Sequence, residues 1–255
     1  MQLTWISFAI ACPALFLAGL LNAIGGGGAL ISLPAYILAG LPAHSAVATN
    51  KLSSSCGATV STVKFLKEHL IDIKLAIPAV ITAIISSAIG AKISLFIPEK
   101  ILTGAMIVIL PLVSIIVLRP SFSVDENDKQ IEYDLKTYGT VIMASLLIGF
   151  YDGVYGPGTG TFLIIAFRMI AKIDVNHANG LSKIINWTTD ISALAVFLFH
   201  SQIVFIVGIP CAICNMLGSY IGARLAIRNG IKIIKPCIII MLTLLMIKVV
   251  CVVCG

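Results

Sequence analysis

Long apolar stretches separated by short polar connectors occupy nearly the whole chain, and a membrane-spanning helix needs roughly 20 such residues. The pattern predicts an apolar arm over residues 3–24, a break at Gly25, Gly26, Gly27 and Gly28, a half-length arm over 29–38, and a turn at Gly40, Leu41 and Pro42. A helix over 43–66 follows, carrying Asn50, Lys51 and a run of serines, and then helices over 71–95 and 101–118. Residues 119–136 form the one long polar loop. Beyond it the order repeats: an arm over 138–154, a break over 155–160, a half-length arm over 161–170, and helices over 175–199, 203–226 and 233–250. A helix that stops at glycines in an apolar region frees N–H and C=O groups that hydrocarbon cannot satisfy. Such a break survives only where protein or a water-filled cavity covers it.

The repeat holds residue by residue. Before the breaks the register is 130, which places Gly19 on Gly149, Asn22 on Asp152, Gly26 on Gly156 and Gly28 on Gly158. After them it is 132, which places Lys51 on Lys183, Pro78 on Pro210, Ser87 on Ser219 and Gly90 on Gly222. The expected architecture is an all-α integral membrane protein of two homologous halves, residues 1–118 and 137–255, joined by a linker over 119–136. Each half holds a glycine-broken helix pair and three transmembrane helices. The apolar start lacks the basic n-region and small-residue cleavage site of a signal peptide, so it reads as a retained element.

Charge placement orients the halves. If each broken pair enters the membrane and returns to the side it left, one face collects Lys64, Lys67, Lys74, Arg119, Lys129, Lys136, Arg168, Lys172, Arg224, Arg228, Lys232 and Lys235. The other face then holds only Lys92 and Lys100. Counting each pair as a single crossing spreads the basic residues almost evenly. The positive-inside rule favours the lopsided arrangement, which means inverted halves in the cell (inner) membrane, both termini outside and the 119–136 loop in the cytoplasm. Halves of this kind meet around a midplane site built from discontinuous helices.

Composition confirms the solvent. Hydrophobic residues make up 59% of the chain and charged residues 11%, with a mean hydropathy of +1.07, against about 25% charged in soluble domains. The net charge of +6 does not point to nucleic acid, because most of the basic residues mark loops. Of the seven cysteines, Cys211/Cys214 and Cys251/Cys254 form C-x-x-C pairs. Both pairs fall in predicted spans without converging His or Cys partners, so no metal site and no cofactor is expected. Nor is there an ATP-binding glycine loop.

The candidate chemistry lies at the breaks. Half-helices beginning near Gly28 and Gly160 aim N-terminal N–H groups and a fractional positive charge inward, and Gly26, Gly27, Gly156 and Gly158 let backbone approach a ligand closely. Lys51 and Lys183 lie at matching positions inside their helices, where an unpaired charge costs roughly 2.5–3.5 kcal/mol. A substrate anion can neutralise them, or Asp152 or Asp190 can. Asn50, Ser182, Asn179 and Asn186 can donate hydrogen bonds to substrate oxygens or serve as interhelical contacts. Asp152 is the acid on a break element and the candidate coupling residue, with Asn22 as its counterpart; it can carry a proton or act as a structural partner. His44 and His177 read as interfacial residues. A homodimer is compatible with the sequence, although no small-residue face assigns an interface.

The run from Asn22 through Gly25, Gly26, Gly27 and Gly28 to Pro34, followed by Ala48, Thr49, Asn50, Lys51 and Leu52, resembles the first signature of the TauE/SafE family of membrane transporters. The stretch 149–162 resembles the second signature in the YfcA-like branch, and the Ser182, Lys183, Asn186 segment and the Ile221, Gly222, Ala223, Arg224 motif extend the likeness over nearly the whole chain. The resemblance implies a transporter rather than an enzyme, acting on sulfite, organosulfonates or related sulfur anions. Two departures stand out: Asn22, where related chains often carry Asp, and Pro157, which interrupts the second glycine motif. The leading expectation is a secondary transporter of a small anion that rocks one half against the other around two symmetric lysines, with the lipid bilayer as its other partner. The alternatives are a membrane redox or sulfur relay using the C-x-x-C pairs, and a sodium- or cation-coupled transporter.

Overall fold

The computed structural model describes residues 5–98 and 134–230, together with positions 101, 232, 233 and 236. The described residues form eight helices and no strand: α1 (Trp5–Gly25), α2 (Ala29–Leu38), α3 (Ala43–Lys67), α4 (Ile73–Ser94), α5 (Leu135–Val154), α6 (Thr159–Met169), α7 (Val175–Phe199) and α8 (Phe205–Asn229). The helices expected over 101–118 and 233–250, most of the 119–136 loop, both termini, and Cys237, Cys251 and Cys254 lie outside the described residues. One boundary shifts: the loop was expected to run to residue 136, but α5 begins at Leu135 because Asp134 accepts a hydrogen bond from the Thr137 amide at 2.8 Å. That is the satisfaction of an orphan N–H that an N-cap provides.

Among the described residues, four stretches are long and apolar enough to cross a membrane: Ser7–Gly25, Ile73–Ser94, Leu135–Val154 and Phe205–Asn229. Their outward faces suit lipid. On α4, Ile77, Ile81 and Ile85 are exposed, and on α8 so are Ile209, Ile213 and Leu217, which are the same positions 132 residues on. Helices α3 and α7 reach 25 residues each, enough to span at 1.5 Å per residue, but they are richer in polar groups. Asn50, Lys51, Ser53 and Ser55 on α3, and Asn179, Ser182, Lys183, Asn186 and Asp190 on α7, are buried against the other helices.

The packing crosses the repeat. Helix α1 lies along α8, and α5 along α4; α3 rests on α8, and α7 on α4. Small residues make these approaches possible. A Cβ at Gly90 on α4 would strike the Phe150 carbonyl of α5, and one at Gly222 on α8 would strike the Leu20 carbonyl of α1. The two contacts are counterparts, since Leu20 and Phe150 differ by 130 and Gly90 and Gly222 by 132.

Candidate functional site

The two glycine breaks sit against one another. Gly26 has φ +82°, in the left-handed region open to glycine, and a Cβ there would overlap the backbone of Gly160 and Thr161. Carbonyls of the last turn of α1 accept hydrogen bonds from residues beyond the second break, the Asn22 carbonyl in addition to the bond it accepts from the Gly26 N–H at 3.0 Å. Thr161 Oγ1 donates to the Gly25 carbonyl at 2.8 Å, Asn179 Nδ2 to the Ile24 carbonyl at 2.9 Å, and Lys183 Nζ to the Asn22 carbonyl at 2.6 Å. Lys183 thus places its charge at a helix C-terminus, where the macrodipole favours a cation.

Lys51 is placed differently. Its Nζ lies 2.7 Å from Asp152 Oδ2 on α5 and 2.8 Å from Asp190 Oδ1 on α7, and each of the three residues is no more than 2% exposed. Further donors complete the carboxylates. Thr159 Oγ1 donates to Asp152 Oδ1 at 2.6 Å, while Ser54 Oγ and Asn186 Nδ2 donate to Asp190 Oδ2 at 2.5 and 3.1 Å. Gly156 is required here, because a Cβ would come within 2.8 Å of Asp152 Oδ1 and 3.1 Å of Lys51 Nζ. Ser32 Oγ donates to Asn50 Oδ1 at 2.6 Å, holding that amide beside the cluster. With both carboxylates ionised, the cluster carries one negative charge in excess.

These groups line a single cavity with Asn22, Gly27, Gly28, Ala29, Gly158 and Gly160, so the N-terminal ends of α2 and α6 both border it. It is closed to about 10 Å³ of space, on the order of the room one water needs. A sulfonate or carboxylate requires the surrounding helices to move apart.

Of the candidates named from sequence, Asn22, Gly27, Gly28, Asn50, Lys51, Asp152, Gly156, Gly158, Gly160 and Asn186 line the cavity. Gly26, Ser182 and Lys183 do not: Gly26 is spent on the contact between breaks, Ser182 Oγ donates to the Asn179 carbonyl at 2.7 Å, and Lys183 reaches the α1 end. The two lysines therefore occupy matching positions in sequence and unlike surroundings in space. Ser54 and Thr159 were not singled out by the sequence. Ser54 lies one helical turn after Lys51 and so shares its face, which was the available signal; Thr159 was hidden within the break. His177 pairs with Asp174, the N-cap of α7, at 2.6 Å. Burial pushes the Asp174 carboxyl up, but hydrogen bonds from the His177 ring and the His177 and Asn176 amides outweigh it and hold the group below the usual range. Cys211 of the first C-x-x-C pair is buried on α8 in an apolar cluster with Tyr36, and Cys12 and Cys214 pack against that cluster as free thiols.

A family model described as sulfite exporter TauE/SafE matches residues 11–249. A probable membrane transporter protein of Sinorhizobium sp, ORF9, is 32% identical over 229 residues, covering 89% of this chain and 86% of that protein. A probable membrane transporter protein of Haemophilus influenzae is 29% identical over 227 residues, 89% of this chain and 88% of that one. The probable membrane transporter protein YfcA of Escherichia coli (strain K12) is 28% identical over 227 residues, with 88% and 82% covered. No solved structure matches.

Proposed function

The chain belongs to the TauE/SafE family of membrane transporters, and on that premise we propose that it is a secondary transporter of sulfite, an organosulfonate or a related small sulfur-containing anion. The observation that carries this reading is the cavity in which a buried lysine faces two half-helix N-termini. Lys51 supplies the charge, the amide groups of α2 and α6 supply aligned dipoles, and Ser54 and Asn186 supply hydrogen bonds that can be turned from Asp190 to substrate oxygens. Lys183 contributes by holding the end of α1. The closed cavity is the occluded stage of an alternating-access cycle in which inverted halves present a midplane site to each side in turn, with both termini outside the inner membrane.

The test is thermal stabilisation of purified protein in detergent by sulfite, sulfate, sulfoacetate, taurine, acetate and sodium, repeated with Lys51→Ala. A ligand at about 100 times its Kd adds roughly 2.7 kcal/mol of stability. Stabilisation of wild type by a sulfur anion, lost in the variant, is the expected result. The excess carboxylate of the cluster favours a second reading, transport coupled to a cation. Stabilisation by sodium alone, equal in Lys51→Ala, would put that reading first.

A further inference from the structure

Resting on the transport reading, the geometry of the lysine cluster gives the rule by which substrate is coupled. We propose that the anion and one proton bind together: the anion takes Lys51 from Asp152, and Asp152 takes up a proton as it loses the lysine.

The argument begins with charge. Lys51 lies between two carboxylates in a cavity with room for about one water. Adding a monoanion to that cluster would bury a second excess negative charge, and a buried charge without a partner is strongly disfavoured. If one carboxylate is protonated as the anion arrives, the excess remains one negative charge, empty or loaded. In the step, the ion pair between Lys51 Nζ and Asp152 Oδ2 opens, an anion oxygen replaces that carboxylate oxygen at Nζ, and water delivers H⁺ to Asp152 to form one O–H bond. No bond within the anion changes.

Hydrogen bonding selects Asp152 for the proton. Thr159 Oγ1 lies 2.6 Å from Asp152 Oδ1 and 2.7 Å from the Gly156 carbonyl, and its single hydrogen can serve only one of them at a time. When Asp152 is ionised the hydroxyl donates to it. When Asp152 is protonated, Asp152 donates to Thr159 Oγ1, and the Thr159 hydrogen turns to the Gly156 carbonyl, so both hydroxyl hydrogens keep an acceptor. Asp190 has no such relay among the described hydrogen bonds. Its Oδ2 accepts from the Asn186 amide nitrogen, which cannot accept in return, and from the Ser54 hydroxyl, which can accept but has no second acceptor among the described hydrogen bonds. The charged group that meets Asp152 is Lys51 from α3, and through it Asp190 from α7. Tyr151 precedes Asp152 on α5 and Tyr155 caps that helix, α6 faces Asp152 with the neutral Thr159, and α4 packs against the neighbouring Gly153 with Ser87, Gly90 and Ala91. Thr159 is a positioning residue in this scheme: it reads the protonation of Asp152 and passes it to the glycine break.

The binding consequence is reciprocal. Where Asp152 is ionised in the empty protein, anion affinity falls tenfold for each unit of rising pH, and flux of a monoanion does not respond to membrane potential. The experiment is isothermal calorimetry of methanesulfonate, which carries no titrating group, binding to the purified full chain in two buffers of different ionisation enthalpy. Wild type and Thr159→Ser are expected to take up about one proton per anion. Asp152→Asn is expected to bind the anion with none and to lose the pH dependence, and Thr159→Val to bind with a displaced pH profile. Binding by wild type without proton uptake overturns the proposal, as does retention of the proton in Asp152→Asn with its loss in Asp190→Asn. Absence of binding by methanesulfonate, sulfoacetate and sulfite alike overturns the transport reading itself, a distinct failure.

Discussion

The contact between the two breaks can be tested with three glycines that separate backbone strain from steric overlap. Gly139 lies on exposed α5 backbone with nothing within 4 Å of an added Cβ, so Gly139→Ala meets neither penalty. It should stabilise by about 0.5–1 kcal/mol, the ordinary helix gain over glycine. Gly40, in the turn after α2, has φ +94° and open space around it. Gly40→Ala therefore meets strain alone, roughly 1–3 kcal/mol. Gly26→Ala meets the same strain and also overlaps Gly160 and Thr161 backbone, which cannot turn aside as a side chain can. Overpacking adds about 1–3 kcal/mol, for a total of about 2–6 kcal/mol. Unfolding midpoints of the three purified variants in one detergent, followed by the fluorescence of a thiol-reactive dye, should rank Gly139→Ala above wild type, Gly40→Ala below it, and Gly26→Ala lowest. If Gly26→Ala unfolds no earlier than Gly40→Ala, the breaks do not bear on one another and the site described above is wrongly assembled.

Removing Lys51 leaves Asp152 and Asp190 facing each other without a counter-charge. Lys51→Met should cost about 3–5 kcal/mol, part of which Asp152→Asn in the same chain restores; chemical denaturation of the single and double variants measures both, and a neutral Lys51→Met would refute the pairing. At the head of α7, the depressed Asp174 carboxyl contributes stability that is fully present above the ordinary carboxylate range near pH 4 and is lost as pH falls through its lower folded value. Asp174→Ala should lower the unfolding midpoint at pH 7 by the worth of an N-cap, about 0.5–2 kcal/mol, and the gap from wild type should close as the medium is acidified below pH 4.

Local signals carried much of the fold. Helix α2 begins and ends where the glycine run and the Gly40 turn place it, and α7 has the predicted bounds 175–199. At α6 the helix starts two residues before the expected 161, because Gly158 adopts φ +85° and turns the chain early. The register between halves was legible, and it set Lys51 against Lys183 and Asn22 against Asp152. What it could not carry was the choice of partner. Lys51 and Lys183 are equivalent by register, yet the residue facing Lys51 is the Asp152 side chain, while Lys183 meets the carbonyl of Asn22, the residue aligned with that aspartate. A single carbonyl oxygen or carboxylate oxygen on a helix distant in sequence leaves no trace in hydropathy. Asp190, open from the sequence as a partner of either lysine, pairs with Lys51 on α3.

The exchange of α4 and α8 between the repeats ties the two sequence halves together. Helices α1, α2, α3 and α8 can be grouped as one lobe and α4, α5, α6 and α7 as the other, with α3 packed on α7 across the boundary as extensively as α4 is within it, so neither group is a sequence half and the two are not separate bodies. Both ion pairs of Lys51, the Ser54 bond to Asp190, and the three bonds to the end of α1 run from one lobe to the other. Within the described chain the backbone itself passes between lobes at the α3–α4 and α7–α8 connectors. Each of these holds a non-glycine residue in the left-handed region, His69 at φ 56° and Ser201 at φ 52°, again 132 positions apart. The charged cluster joins α3 of the first repeat to α5 and α7 of the second.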